Sequence, residues 1–243
     1  MILLKLSLLF FSLMIIGTFL TLALFHFDFN KFKNAELYKK IFYWIPIFIV
    51  FTFIAFSNNF IKLLCLILIS TMIIFEYLRV ISETHKKSFF IIYLAFFLAA
   101  VLHFILLSLL KINLTDLLLV IGISSALSDV TAFFFGKYMG GHKLPFVINA
   151  NKSWEGILGQ IVGALLGVIS MKLFILTDVN LLLFIPIGIG STLGDILNSF
   201  IKRRAKIDSW SNFIPGHGGF MDRFSSFTGS AMFTYYFLLL LKY

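Results

Sequence analysis

The densest polar run in this chain is 199–223. It reads Ser199-Phe-Ile-Lys202-Arg203-Arg204 at one end and Pro215-Gly-His217-Gly218-Gly219-Phe-Met-Asp222-Arg223 at the other. Arginine grips phosphate oxygens through a planar fork and lysine supplies a compact charge, which makes Lys202, Arg203 and Arg223 candidate phosphate ligands. The glycines of the 215–219 turn let backbone N–H groups approach an anion, so Gly218 and Gly219 are candidates for substrate binding. Asp195 and Asp222 fall on adjacent predicted helices. Together they are expected to bridge one Mg2+ whose shell is completed by phosphate oxygens. His217 is read as a proton shuttle or ligand contact, against the alternative of a histidine that bonds its own turn. Taken alone, a basic glycine-bearing loop serves equally well as a positive-inside anchor or a lipid-headgroup contact.

Two of the acids sit where lipid is expected. Asp129 lies in the apolar run Ile121–Phe135 and Asp195 in Ile185–Ile201. A charge at mid-bilayer costs about 2.5–3.5 kcal/mol on insertion scales, so such residues usually face a polar cavity. Both are toward the same predicted ends of their helices, where the alternative is a hydrated interface position. Gly194 and Asn198 beside Asp195 favour an ion site there. Glu76, ahead of Arg79, reads as a helix-end residue paired with a neighbouring base.

The elements that must carry these residues follow from composition. Of 243 residues, 60% are hydrophobic and 13% charged, and the mean hydropathy is +1.01. A soluble domain carries about a quarter charged residues, so a soluble globular fold is excluded. Runs near the roughly 20 residues that a bilayer core requires occur at 6–25, 41–57, 60–78, 89–110, 117–136, 157–176, 181–201 and 224–241. The predicted fold is all-α, a polytopic transmembrane bundle of about eight helices forming one integral membrane domain over 1–243. The first run is expected to be a retained helix rather than a cleaved signal, since no small-residue cleavage site follows it.

Fifteen of the 20 Lys and Arg residues fall in the segments 26–40, 79–88, 137–156 and 202–223. An alternating excess of this kind sets these segments on the inner side, with the N-terminus outside. The net charge of +9 is therefore assigned to anionic lipid or an anionic substrate, not to nucleic acid. Cys65, the sole cysteine, excludes an internal disulfide. Fifteen of the 16 glycines follow residue 115, which assigns chemistry to 116–243 and a scaffold role to 1–115. Trp154 and Trp210 are expected to be interfacial anchors rather than base-stacking platforms.

The string from Ser199 to Arg223 resembles the phosphatidate cytidylyltransferases, or CDP-diacylglycerol synthases. Their C-terminal pattern is Ser-x-x-Lys-Arg, a spacer with Lys-Asp, then Pro-x-His-Gly-Gly-x-x-Asp-Arg-x-Asp. Ser199, Lys202, Arg203, Pro215, His217, Gly218, Gly219, Asp222 and Arg223 match it in type and spacing. Gly194-Asp195 matches the family's Gly-Asp. Asn151-Lys152-Ser153-Trp154-Glu155-Gly156 is similar to its Lys-Lys-Thr-x-Glu-Gly, and Asp129 with Ala132 and Gly136 to its Asp-x-Gly-Ala-Tyr-x-x-Gly. A looser likeness covers Glu76-Tyr77-Leu78-Arg79. The departures are Asp208-Ser209 in the spacer, Ser225 for the last Asp, Thr131 and Phe133 for Gly and Tyr, and Asn151 for Lys.

The resemblance implies that CTP and phosphatidic acid give CDP-diacylglycerol and pyrophosphate at the cytoplasmic face of a bacterial plasma membrane. It implies Mg2+ as cofactor, with a monovalent cation as an open addition, and it is compatible with a homodimer. Lys202, Arg203, His217, Asp222 and Arg223 are the implied catalytic residues, and Asp195 and Asp222 hold the metal. Lys152, Ser153, Glu155, Ser199, Gly218, Gly219 and Asp129 are the implied substrate contacts. Asp208 is a candidate replacement, shifted by one position, for the spacer Asp. Two alternatives stay open: a CTP-dependent transferase or kinase for another lipid such as a polyprenol, and a non-catalytic lipid-binding or transport protein.

Overall fold

The computed structural model describes residues 2–82, 87–110, 112–145, 152–214 and 218–242. Each expected apolar run is a helix. In chain order these are α1 (Ile2–Leu24), the short α2 (Phe29–Asn34), α3 (Glu36–Phe56), α4 (Asn59–Ser82), α5 (Lys87–Ser108) and α6 (Leu114–Tyr138). Then come α7 (Trp154–Phe174), a 3-10 turn (Leu181–Leu183), α8 (Phe184–Ala205) and α9 (Phe220–Leu240). The chain is a polytopic helical membrane bundle. Asn113 caps α6 by accepting from Thr115 N at 3.0 Å, and Ser153 caps α7 by accepting from Gly156 N at 3.1 Å. Such caps satisfy amides that a helix start otherwise leaves orphaned.

Among the described residues, seven helices are long and apolar enough to cross a bilayer: α1, α3 to α7 and the stretch Leu181–Ala205 that contains α8. The eighth expected span corresponds to α9, which at 21 residues is long enough but more polar. Its Ser225, Ser226, Thr228, Ser230 and Thr234 are all buried, so its hydroxyls turn inward onto other helices rather than toward lipid.

The two halves differ in packing. In the apolar stretches of α1, α3 and α4, 17%, 11% and 17% of residues are buried, against 56%, 39% and 44% in α6, α7 and α8. Lipid therefore solvates the first helices, while the later ones solvate one another. Gly159, Gly163 and Gly167 bring α7 against the backbone of α6 at Thr131, Leu127 and Ser124. Thr131 Oγ1 donates to Gly159 O at 2.7 Å and Ser128 Oγ to Gln160 O at 2.8 Å across this seam. Gly190 and Gly194 likewise face Gly229 and Ser225 between α8 and α9. Small residues that allow backbones to touch are what hold membrane helices together where no hydrophobic force separates helix from lipid.

Trp210 departs from expectation. It is 3% exposed and stacks on Tyr77 with ring centroids 4.5 Å apart, and its indole N–H donates to Asn198 Oδ1 at 2.7 Å. A partner for the indole N–H is what permits its burial. Trp154, by contrast, is exposed at the end of α7, as an interfacial anchor would be.

Candidate active site

The C-terminal end of α8, the first turns of α9, the start of α7 and the second half of α6 bring the expected residues into one region. Lys202, in the last turn of α8, donates to Asp222 Oδ1 at 2.6 Å, and this pair is largely buried. The other Asp222 oxygen accepts from Trp210 N at 3.0 Å and Gly219 N at 3.1 Å. Asp222 thus ties together α8, the 206–214 segment and the start of its own helix. Lys206, left-handed at φ 58°, ends α8 and turns the chain into that segment.

Asp195 is held from the other side. Its Oδ2 pairs with Lys152, just before α7, and accepts from Gln160 Nε2 at 3.2 Å. Asp129 accepts from Ser226 Oγ at 3.0 Å, and Asp195, Arg223 and Lys152 all lie close enough for their charges to act on its carboxyl. Arg203 reaches Asp208 Oδ1 at 2.7 Å; Asp208 is fully at the surface, away from the pairs above. Ser199 is buried one turn before Lys202 and Arg203. Arg223 is exposed beside Asp222.

Several expectations need refinement. Among the described contacts none joins Asp195 to Asp222. Asp222 meets Lys202, seven residues or about two turns beyond Asp195 on α8. The carboxylate that lies near Asp195 is Asp129. Ser153 is spent on capping α7 and touches the positions a Cβ would take at Gly136 and Gly140. Glu155 accepts from His142 Nδ1 at 2.7 Å and His142 N at 3.1 Å, tying the segment just after α6 to the first turn of α7. His217 and Asn151 lie outside the described residues.

Gly218 and Gly219 do not present open amides. Gly218, at φ +78°, exchanges backbone hydrogen bonds of 2.9 and 3.0 Å with Ile214. The Gly219 amide is taken by Asp222, and those of Phe220 and Met221 by Glu76, at 2.9 and 3.0 Å. Glu76 was read as a helix-end partner for a base. No local pattern reveals its true partners, which lie 144 and 145 residues away.

The donor set suits a hard divalent cation in part. Among the described residues no group of three His, Cys, Asp or Glu side chains forms a ready metal site. Mg2+ is commonly held by one or two carboxylates with substrate phosphates and water supplying the rest. Asp195 and Asp129 fit that pattern: each has one oxygen engaged in a described bond. Asp222 fits it less well, because both of its oxygens are occupied and Lys202 would have to leave.

The chain is 40% identical over 105 residues to a phosphatidate cytidylyltransferase of Staphylococcus haemolyticus, the aligned part covering 42% of this chain and 40% of the relative. A Staphylococcus epidermidis protein of the same name is 39% identical over 105 residues, and one from Staphylococcus aureus 38% over 107, with the same coverage. The similarity thus spans less than half the length of these curated relatives. The model of the Cytidylyltransferase family matches residues 1–241, nearly the whole sequence. This chain belongs to the cytidylyltransferase family.

Proposed function

We propose that the protein is a phosphatidate cytidylyltransferase, moving CMP from CTP to phosphatidic acid with release of pyrophosphate. The observation that carries this reading is that Lys152 pairs with Asp195 and Lys202 with Asp222, two turns apart along α8, with Asp129 within electrostatic reach of Asp195, Lys152 and Arg223. The relatives' name supports the lipid and nucleotide assignment. The lysine and arginine bias supports a site on the cytoplasmic side.

The chemistry is a substitution at phosphorus. A phosphomonoester has its second pKa near 6, so the attacking oxygen is already ionised at neutral pH. That oxygen forms a bond to the α-phosphorus of CTP, the α–β bridging P–O bond breaks, and pyrophosphate leaves with the electron pair. The obstacle is repulsion between two anions, which positioning and charge neutralisation overcome. Lys152 and Lys202, each already paired with an acid, would exchange that carboxylate for a phosphate oxygen. Arg203, whose partner Asp208 is fully exposed, is readily released to do the same. Arg223 is positioned for a second phosphate. Asp195, with Asp129 beside it, would hold Mg2+, which neutralises charge on the transferred and leaving groups when bound. Asp222 orients Lys202.

Incubating the purified full chain with CTP, Mg2+ and phosphatidic acid should release pyrophosphate in proportion to lipid consumed. Release only with a different lipid, such as a polyprenyl phosphate, would overturn the lipid assignment. Silence with every lipid tried would leave a binding protein.

A further inference from the structure

The inner end of α4 closes onto the catalytic loop through two adjacent side chains. Glu76 Oε1 accepts from Ser211 Oγ at 2.6 Å and from Phe220 N at 2.9 Å, and Oε2 accepts from Met221 N at 3.0 Å. Tyr77 stacks face to face on Trp210, whose own amide donates to Asp222. A helix belonging to the lipid-solvated half thus reaches, through one carboxylate and one ring, both Trp210-Ser211 and the first turn of α9 that carries Asp222.

The amides that Glu76 accepts are the first two of α9. Helix starts leave such donors orphaned, and the positive end of the helix dipole favours a carboxylate there. With the Gly219 amide taken by Asp222, three successive donors at this turn are filled by the protein's own acids. Gly219 is explained by the same contact. A Cβ at that position would come within 2.6 Å of Glu76 Oε2 and 2.7 Å of its Cδ, so only glycine lets the carboxylate in. The residue is 9% exposed, so this is an interior contact and not a surface decoration.

We infer that Glu76 is a positioning residue for the transfer reaction, its carboxylate fixing the start of α9 so that Asp222 orients Lys202 and Arg223 points into the site. The inference rests on the function proposed above. It also assigns the amides of the glycine turn to internal carboxylates, leaving substrate phosphates to the lysines and arginines. Glu76→Gln is the sharpest change, because it preserves shape but replaces one acceptor with an N–H2 group facing backbone donors.

The test uses the full chain in lipid nanodiscs with CTP, Mg2+ and phosphatidic acid. Glu76→Gln is expected to lower kcat about 10- to 100-fold, the scale of a displacement of about 1 Å in a positioned group. KM for CTP should stay within about 3-fold. Amide hydrogen exchange in the peptide containing 218–222 should rise in Glu76→Gln, and adding CTP to the wild-type protein should not raise it. Glu76→Asp, too short to span both contacts, should fall between wild type and Glu76→Gln. A Glu76→Gln enzyme with normal kcat, lost kcat without faster exchange at 218–222, or CTP-induced exposure of these amides in the wild type would each overturn the assignment. If wild-type protein is inert with every lipid, the reaction assigned above falls and the kinetic role with it. The exchange comparison still decides whether Glu76 holds the helix.

Discussion

Asp195→Asn should cripple turnover while leaving the protein folded, and Asp222→Asn should cost it both. The two acids share a motif and a charge, but their surroundings differ. The Asp195 side chain is one-third exposed, while its partner Lys152 is 22% exposed with the ammonium itself buried. The amide would keep a contact to Gln160 and lose an ion pair whose carboxylate side is open to solvent, a smaller cost than losing a pair buried on both sides. Its expected effect is a fall in kcat of about a hundred- to a thousandfold, the size of losing one electrostatic contact at a reacting phosphate, with little change in Tm. Asp222 is 4% exposed and Lys202 17%. Removing one partner of a buried pair leaves the other charge uncompensated, at about 3–5 kcal/mol. The new amide would also point N–H groups at the N–H of Trp210 or Gly219. Pyrophosphate release and thermal unfolding of each variant in detergent check the pair. Near-normal turnover in Asp195→Asn would remove its metal role. An unchanged Tm in Asp222→Asn would remove the structural role given to that carboxylate.

This contrast separates two functions that a sequence motif merges. The Asp222-Arg223 pair stands beside the glycine turn, so both residues invite a role at the phosphates. In the folded chain the carboxylate is turned back, toward Lys202 and two amides, and only the arginine is left outward. The second carboxylate beside Asp195 comes instead from α6, where Asp129 accepts from Ser226. Ser225 and Thr131, two of the positions that depart from the related pattern, are absorbed into seams. Ser225 is buried with its carbonyl against Gly194, and Thr131 donates to Gly159 O. These two departures therefore sit in helix packing rather than among the cations.

The spans were legible because a bilayer imposes its thickness on the sequence: 89–110 reads as an apolar run and α5 is Lys87–Ser108. That charge in an apolar chain must find charge was legible too, and Lys152–Asp195 and Lys202–Asp222 are the pairs it found. Partners far apart in sequence were not. Nothing near Glu76 distinguishes a carboxylate that bonds its neighbour from one that caps a helix 144 residues later. Trp210 was misread for a related reason. Tryptophan in a membrane protein is most often interfacial, and the exception depends on Tyr77 and Asn198, which only the fold brings to it. The polar character of α9 was visible in its serines and threonines, but whether they faced inward depended on which helices lay beside them.

Gly163→Leu should prevent a folded protein from accumulating, the largest stability effect expected from a single change outside the charged site. The α6–α7 seam is formed by direct backbone approach. A Cβ at 163 would lie 2.5 Å from Leu127 O and 2.7 Å from Ser128 Cα, and it would strike Thr131 Oγ1 as well. Backbone atoms cannot give way as the tip of a side chain can, so the helices must part along their length. Separation would also break the Thr131 and Ser128 hydrogen bonds to α7, at 2.7 and 2.8 Å, although Thr131 can fall back on Leu127 O in its own helix. Overpacking alone costs about 1–3 kcal/mol, and each lost buried hydrogen bond adds about 1–3 kcal/mol. Together these are a large share of the roughly 5–15 kcal/mol that holds an ordinary domain. Gly17→Leu supplies the control, since a Cβ on that face of α1 meets nothing within 4 Å. It should leave Tm and the detergent elution profile unchanged, whereas Gly163→Leu should aggregate. Equal monodispersity and Tm in both variants would show that α6 and α7 do not pack backbone to backbone, and that Asp129 and Gln160, which this seam carries into the site, are held in some other way.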